Sequence, residues 1–303
     1  MSDYFLPKTT EEAVLLASKY KSKAKIIAGG SDLVTHLKSG EIQTEVLVNI
    51  CNANLNFISY EPTKGLRIGA TTSIESIENS SVIQSKFSVL AQAAGMVGSP
   101  TIRQRATIGG NICNAAPSAD TAPPLIVLSA RVKIAGKNGE RLVEVEDFFT
   151  GPGKTSLNPG EIVTEIQISD IPAHSGATYI KQKRRHGADL AVVGVAVLVT
   201  LAGDANSSGV KYGNIDIPNI HLLDIKIALG AVAPVPMRAR KAESILKNRQ
   251  MSEKLLEDAC QAASDESSPI NDARSSADYR KKMVKILTKD AIMQAIERAR
   301  LET

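Results

Sequence analysis

The sequence predicts an α+β fold in two domains, on three observations. Its 303 residues provide for about two domains that each bury a core, at roughly 100–200 residues per domain. Apolar–polar alternation of the strand period runs through the middle of the chain, whereas the C-terminal stretch repeats its apolar residues at helical spacing. Between the two, around residues 172–176, the composition changes to Pro-Ala-His-Ser-Gly, and a domain boundary is expected there.

The elements follow in order. Thr9 stands three residues before Glu12, the capping-box spacing that satisfies two free backbone donors. A helix is therefore expected over 10–20, with Ala13, Leu16, Ala17 and Tyr20 recurring at helical spacing. Strands follow over 24–28, which stops at Gly29-Gly30, over 45–50, and over 66–71 after the turn residues Pro62 and Gly65. A helix over 85–97 ends at Gly98-Ser99-Pro100, and the Gly-, Asn- and Pro-rich stretch 107–124 reads as a loop. Alternating, half-buried strands occupy 131–135, 141–145 and 162–168, with turns at Gly151-Pro152-Gly153 and Asn158-Pro159-Gly160. The Val-rich run 190–202 reads as a strand buried on both faces, or on one face and against a partner. A polar hairpin turn is expected near 203–209 and a further strand over 224–230. The end is helical. Pro236 sits where a helix can begin, Ser252 caps a helix through 263, and Asp278 caps a last one with Met283, Ile286, Leu287 and Ile292 on one face. No internal repeat or low-complexity segment interrupts this order.

Composition excludes several classes of function. There are 36 Lys+Arg against 32 Asp+Glu, a net charge of +4, which describes neither a nucleic-acid binder nor an acidic tail. Cys51, Cys113 and Cys260 are odd in number and far apart. They form neither a disulfide framework nor a Cys-ligated cluster or zinc ribbon from this chain alone, and a reducing, cytoplasmic setting is expected. His36, His174, His186 and His221 show no metal-ligand spacing, so no metal site is expected. The first residues, MSDYFLPKTTEEAVLL, lack the basic-then-apolar pattern of a secretory signal. The run 190–202, broken by Gly194, falls short of the roughly 18–20 residues of a membrane helix.

Two segments place glycine pairs where chemistry is expected. In Ala28-Gly29-Gly30-Ser31-Asp32-Leu33 the glycines let backbone N–H groups approach an anion closely, Ser31 adds a hydroxyl, and a helix starting near Asp32 aims at the same place. Neither G-x-G-x-x-G nor the P-loop pattern is present, so a Rossmann or Walker site is not expected. A plain strand–turn–helix is the alternative. Thr107-Ile108-Gly109-Gly110-Asn111 repeats the device and runs on through small and polar residues to Asp120, a composition that suggests cover for a ligand. The two pairs, roughly eighty residues apart, can converge on one diphosphate. Asp120 is suited to accept from sugar hydroxyls, or to cap a helix beginning at Thr121.

Four stretches together carry a resemblance: AGGSDL (28–33), TIRQRATIGGNICNAAPSAD (101–120), YIKQKRRHGADLAVVGVAV (179–197) and GAVAPVPMRARKAE (230–243). In order and spacing the chain resembles the FAD-binding medium subunit of molybdenum hydroxylases. That family includes bacterial xanthine dehydrogenase, carbon monoxide dehydrogenase, nicotinate dehydrogenase, and aldehyde or quinoline oxidoreductases. The resemblance implies an FAD-binding PCMH-type (vanillyl-alcohol-oxidase-type) domain over 1–175, of two α/β subdomains, about 1–56 and 57–175. A smaller α+β C-terminal domain of the CO dehydrogenase flavoprotein type would follow over 176–303, near the flavin ring. Carried over by position, Ile26, Ile27, Ala28, Gly29, Gly30, Ser31, Asp32 and Leu33 would wrap the pyrophosphate from one side. Thr107, Ile108, Gly109, Gly110 and Asn111 would close it from the other. Asp120 would hold the sugar portion, Ile162 and Val163 would pack on the adenine or ring, and Lys181 would lie near the flavin. A cation there favours the reduced ring and raises its potential; a surface charge on a strand is the other reading of Lys181.

The related 4-hydroxybenzoyl-CoA reductase subunits carry an insertion with extra cysteines for another cluster. Here the stretch after Asp120, TAPPLIVLSARVKI, has no cysteine, which disfavours that branch. Cys113 lies in the second glycine loop, where a packed small thiol is expected over a redox role. His186 falls in the loop after Lys181 that the resemblance brings near the ring. Lys181, Lys183, Arg184 and Arg185 form either a solvated face or an attractor for an anionic acceptor or acidic partner. The function implied is electron transfer with no catalytic residue on this chain, from [2Fe–2S] clusters through FAD to NAD⁺, a quinone, oxygen or another carrier. The molybdenum cofactor and the clusters would belong to a large and a small partner subunit, in a dimer of heterotrimers, with no nucleic acid and no membrane span. A stand-alone flavin oxidase or reductase of the same fold, and a scaffold that has lost FAD, are the alternatives.

Overall fold

The computed structural model describes residues 3–203, 211–212, 215–216 and 220–301. The first unit holds β1 (Asp3–Phe5), α1 (Thr10–Tyr20), β2 (Ala24–Ile27), α2 (Leu33–Ser39) and β3 (Val46–Asn49), with the strands parallel in the order β1-β3-β2. Thr9 caps α1 as expected, its Oγ1 accepting from the Glu12 N–H at 3.2 Å, while the Glu12 carboxylate reaches one residue further back, to the Lys8 N–H at 2.8 Å. Ala13 and Ala17 turn inward onto Val46, Val48 and Ile50. Their small size lets the helix lie close on the sheet, while the charged face points to water.

The second unit comprises β4 (Ile58–Glu61), β5 (Gly65–Gly69), α3 (Ile74–Asn79), α4 (Ser81–Lys86), α5 (Ser88–Gly95), α6 (Pro100–Arg105), α7 (Ile108–Cys113), α8 (Ala122–Val127), β6 (Arg131–Gly136), β7 (Gly139–Glu144), α9 (Val145–Phe148), β8 (Phe149–Gly151), β9 (Lys154–Thr155) and β10 (Ile162–Ile168). Its sheet is antiparallel in the order β4-β5-β10-β6-β7. Three expectations change here. The helix expected over 85–97 is split at Phe87, whose backbone leaves the helical region (φ −135°) so that its ring can bury completely. The loop expected over 107–124 contains α7 and the start of α8, the latter in line with the alternative of a helix beginning at Thr121: Thr107 Oγ1 accepts from the Gly110 N–H at 3.1 Å, and prolines occupy the first turn of α8, where a missing N–H costs nothing. And β10, expected to be half-buried, is the central strand and buries even Glu165, which is held by Arg67 on the neighbouring β5.

The third unit contains β11 (Ser175–Gln182), β12 (Val193–Leu201), β13 (Lys211–Tyr212), β14 (Ile215–Asp216), β15 (His221–Gly230), β16 (Met237–Arg238), α10 (Arg240–Leu246), β17 (Arg249–Gln250), α11 (Glu253–Glu266) and α12 (Ala277–Leu301). Its main sheet runs β11-β12-β15-β16. Strand β12 has no polar side because neither side meets water. Val193, Val195, Val197, Val199 and Leu201 face the core under α10–α12, while Ala196 and Leu198 face the core of the second unit. The helical end differs in detail from expectation. Ser276, not Asp278, caps α12, accepting from the Tyr279 N–H at 3.2 Å. Ile286 is 51% exposed, and the packed face is instead Val284, Leu287, Ala291, Ile292 and Ala295. Pro236 starts no helix, since β16 first pairs with β15 and α10 begins at Arg240. The hairpin turn expected over 203–209 lies, beyond Gly203, outside the described residues.

The loop entering β10 is clamped to the β6–β7 hairpin by Arg141, which donates to Glu161 from Nε at 3.0 Å and Nη2 at 2.7 Å. These hydrogen bonds, with a third from the Asn158 N–H, hold the Glu161 carboxyl down at about 2. A depressed carboxyl stabilises the fold above its unfolded pKa and loses that contribution as pH falls through its folded value. Glu161→Gln is therefore expected to lower stability by about 1–3 kcal/mol near pH 6. In urea titrations, the gap from wild type should close between about pH 4.5 and 2.

Candidate functional site

The two glycine loops meet. A Cβ added to Gly29 would lie 1.8 Å from the carbonyl oxygen of Arg105, so the β2–α2 loop and the end of α6 touch backbone to backbone. Gly30 adopts φ +72°, the left-handed turn that a side chain resists. The second loop is fixed from behind: the Ile74 N–H donates to the Ala106 carbonyl at 2.8 Å, Ile108 to Thr72 at 3.0 Å and Gly109 to Ala70 at 2.9 Å. Between the loops is a cleft of about 200 Å³, lined by Ile26, Ile27, Ala28, Gly29, Gly30, Ser31, Asp32 and Leu33 on one side and Thr107, Gly110 and Asn111 on the other. Among the described residues nothing accepts from the N–H groups of Gly29, Gly30, Ser31 and Asp32. Four successive backbone donors with no protein acceptor, beside a cleft bordered by two glycine pairs, suit the oxygens of an anion.

A second cavity of about 120 Å³ adjoins the cleft, sharing Ile26, Ala28, Gly110 and Cys113, and adds Gly109, Ile162 and Val163 from the expected set. Ile50, Ala70 and Leu157 complete its apolar wall. An anion cradle beside an apolar slot matches a diphosphate joined to a flat ring. Ile108 is the exception: its side chain is fully buried in the second unit's core, lines neither cavity, and serves to anchor the loop. Lys25, Ile42, Ala106 and Asn114 also line the cleft without having been picked out by motif. Only their position beside the glycine pairs could have signalled them.

Asp120 and Lys181 line neither cavity and instead find each other. Lys181 Nζ donates to Asp120 Oδ2 at 2.7 Å and to the Met96 carbonyl at 2.9 Å, with side-chain exposures of 3% and 7% for the two ions. The surface reading of Lys181 is thereby overturned, and so is the capping role of Asp120, for α8 has no side-chain cap. Tyr179, which motif reasoning passed over, donates its hydroxyl to Asp120 Oδ1 at 2.9 Å. The signal was the i, i+2 spacing on a strand, which puts Tyr179 and Lys181 on one face. Thr121, next in the chain, donates to Asn111 Oδ1 at 2.6 Å and ties this network to the cleft. Burial pushes the Asp120 carboxyl up, against the opposing pull of Lys181 and Tyr179. Removing either partner of such a pair leaves a buried lone charge, a loss of about 3–5 kcal/mol.

Other candidates fall elsewhere. Burial pushes the Cys113 thiol up to about 12, so it lines the cavities as a neutral group. Lys183, Arg184, Arg185 and His186 are all at least partly exposed in the loop after β11. Among the described residues no cluster of three or more His, Cys, Asp and Glu is placed to hold a metal. An open groove of about 660 Å³ between α1 and the β6–β7 hairpin is lined by none of the expected residues.

Comparison with known proteins shows the family. Residues 1–170 match the family described as FAD binding domain in molybdopterin dehydrogenase, and residues 178–295 match the CO dehydrogenase flavoprotein C-terminal domain. The chain is similar to the xanthine dehydrogenase FAD-binding subunit of Escherichia coli O157:H7, with 30% identity covering 98% of this chain and 97% of that one. Similarity to the carbon monoxide dehydrogenase medium chain of Hydrogenophaga pseudoflava is 32% identity, covering 97% and 96%. Among solved structures, the reconstituted CO dehydrogenase from Oligotropha carboxidovorans matches with a TM-score of 0.89 and 29% identity, covering 98% of both chains. With family matches spanning both halves and a site of two converging glycine loops, the chain belongs to the FAD-binding medium subunits of the molybdenum hydroxylases.

Proposed function

We propose that this chain holds FAD between its two glycine loops and relays electrons from the [2Fe–2S] clusters of a small partner subunit to an external acceptor such as NAD⁺. A large partner subunit with the molybdenum cofactor would oxidise the substrate, in a dimer of heterotrimers in the cytoplasm. The observation that carries the reading is the cleft, where N–H groups at 29–32 without a protein acceptor border a gap closed by Thr107, Gly110 and Asn111. FAD supplies the electron-accepting and electron-releasing chemistry when bound. The chain's own residues bind and orient. The N–H groups of Gly29 to Asp32 cradle the diphosphate oxygens, with the Ser31 hydroxyl beside them. Asn111 keeps its amide N–H groups for the ligand, because its Oδ1 already accepts from Thr121. Ile162 and Val163, with Ile26, Ala28 and Ile50, give an apolar wall for an aromatic ring. The Asp120–Lys181 pair lines neither cavity, and it would sit behind the sugar and flavin end of the ligand, tied to the cleft through Thr121 and Asn111.

The primary test is the visible spectrum of the chain purified with whatever accompanies it, before and after denaturation. Flavin bands, release of FAD and not FMN, iron–sulfur absorbance and two further chains are expected. A colourless chain that refuses added FAD would overturn the reading of both loops. A flavin-bearing chain that purifies alone and turns over a small substrate would replace the relay with a stand-alone oxidase or reductase.

Gly29→Ala forces a methyl group against the Arg105 carbonyl and drives the loops apart. The flavin-to-protein ratio after gel filtration is expected to fall at least tenfold, while far-ultraviolet circular dichroism stays that of wild type. Retention of full flavin would show that the loops do not form the cradle.

A further inference from the structure

Three polar side chains meet at the seam between the second and third units, and only two of them have a stated role. Asp120 comes from the loop before α8, and Lys181 and Tyr179 from β11. Each Asp120 oxygen has its own donor, Tyr179 at Oδ1 and Lys181 at Oδ2. Tyr179 is 1% exposed, and its own backbone N–H is held by Gln92 Oε1 at 3.2 Å. The neighbouring strand makes room for the ring: a Cβ on Gly194 would lie 2.7 Å from the Tyr179 hydroxyl. The hydroxyl is thus enclosed, with Asp120 as its acceptor.

We propose that Tyr179 is a positioning residue whose hydroxyl fixes the Asp120 carboxylate against Lys181 and so sets how much of the Lys181 charge reaches the flavin. The inference rests on the proposed reading that Lys181 lies near the ring. A hydrogen bond donated to a carboxylate favours its charged form, and burial favours the neutral one. With the Tyr179 hydroxyl donated to Oδ1 and the Lys181 ammonium to Oδ2, the charged form of Asp120 is favoured, and it offsets the cation. Without it, desolvation protonates Asp120 more readily, and the Lys181 ammonium is left uncompensated in a low-dielectric seam. Uncompensated positive charge favours the electron-rich flavin, and the potential rises. Among the described residues, the charged and titratable groups that act on Asp120 are Tyr179, Lys181 and, less strongly, Lys183.

The test is the two-electron midpoint potential of the flavin in the full chain with its co-purifying partners, measured by dye-coupled titration from pH 6 to 9. Tyr179→Phe is expected to raise it by the equivalent of about tenfold in the reduced-to-oxidised ratio, roughly 30 mV, with the rise growing as pH falls. Gly194→Ala displaces the same hydroxyl while leaving Tyr179, Asp120 and Lys181 in the sequence, and should shift the potential in the same direction. Lys181→Met, which removes the cation, should lower it. If Lys181→Met moves the potential and neither Tyr179→Phe nor Gly194→Ala does, the proposal falls and the site reading stands. If Lys181→Met also leaves it unmoved, the placement of Lys181 near the flavin falls and takes the proposal with it. A loss of thermal stability with an unchanged potential shows a purely structural Tyr179 and overturns the proposal.

Discussion

The site depends on one backbone contact that no side chain can share. At Gly29 the β2–α2 loop presses onto the Arg105 carbonyl, and the second loop turns away at once into α7. Every other feature of the cleft follows from this approach. It brings N–H groups of one unit opposite Thr107 and Gly110 of the other, at a separation that a Cβ would prevent. The same need recurs behind the second loop, where a Cβ on Gly109 would lie 2.6 Å from the Ala70 carbonyl. Glycine is used here for the space its missing side chain leaves, so that the loops meet main chain against main chain.

The third unit is joined to this arrangement by packing first and by charge second. Ala196 and Leu198 of β12, with Ala177 and Tyr179 of β11, bury against the second unit's core. Small residues on that face let sheet and helices approach closely. Into this dry seam the chain sets the Asp120–Lys181 pair. Exposed pairs such as Lys23–Glu45, at 63% and 67% exposure, contribute less than about 1 kcal/mol each. The seam pair differs because its desolvation must be offset by full hydrogen bonding, from Tyr179 on the acid and to Met96 on the base. An ion pair maintained at such expense is a weak device for stability alone.

Much of the fold could be read from the chain, and what could not has physical causes. Long apolar patterns and side-chain caps carried the information for α1, β3, β12 and α11, since each is decided within a few residues of itself. Helix α7 was hidden because glycine opposes helix formation locally, and only the Thr107 cap and the packing of Ile108 and Ile112 reverse the balance; α8 was visible only as the alternative in which a helix begins at Thr121. The break at Phe87 and the outward turn of Ile286 were likewise set by what lay across the core and not by spacing. In the site, glycine pairs were legible because a chain has few reasons to place two at a strand's end. Ile108 was misread by the same logic, for in a short motif the anchoring and contacting residues look alike.

Asp120 shows most clearly where a sequence runs out. Its neighbourhood of small residues marked it as functional, yet two local readings, sugar acceptor and helix cap, competed on equal terms. The fold supplied a third: both oxygens are taken by residues roughly sixty positions away on β11. That partnership depends on the strand parity that puts Tyr179 and Lys181 on one side, on Gly194 leaving room for the phenol ring, and on α5 presenting Gln92 and the turn after it presenting Met96. None of these is visible from Asp120 outward. Together they turn an isolated acid into the balanced half of a buried dipole. The loop that begins at the glycine cleft thus ends, through Asn111, Thr121 and Asp120, on a buried cation that the third unit places in the seam.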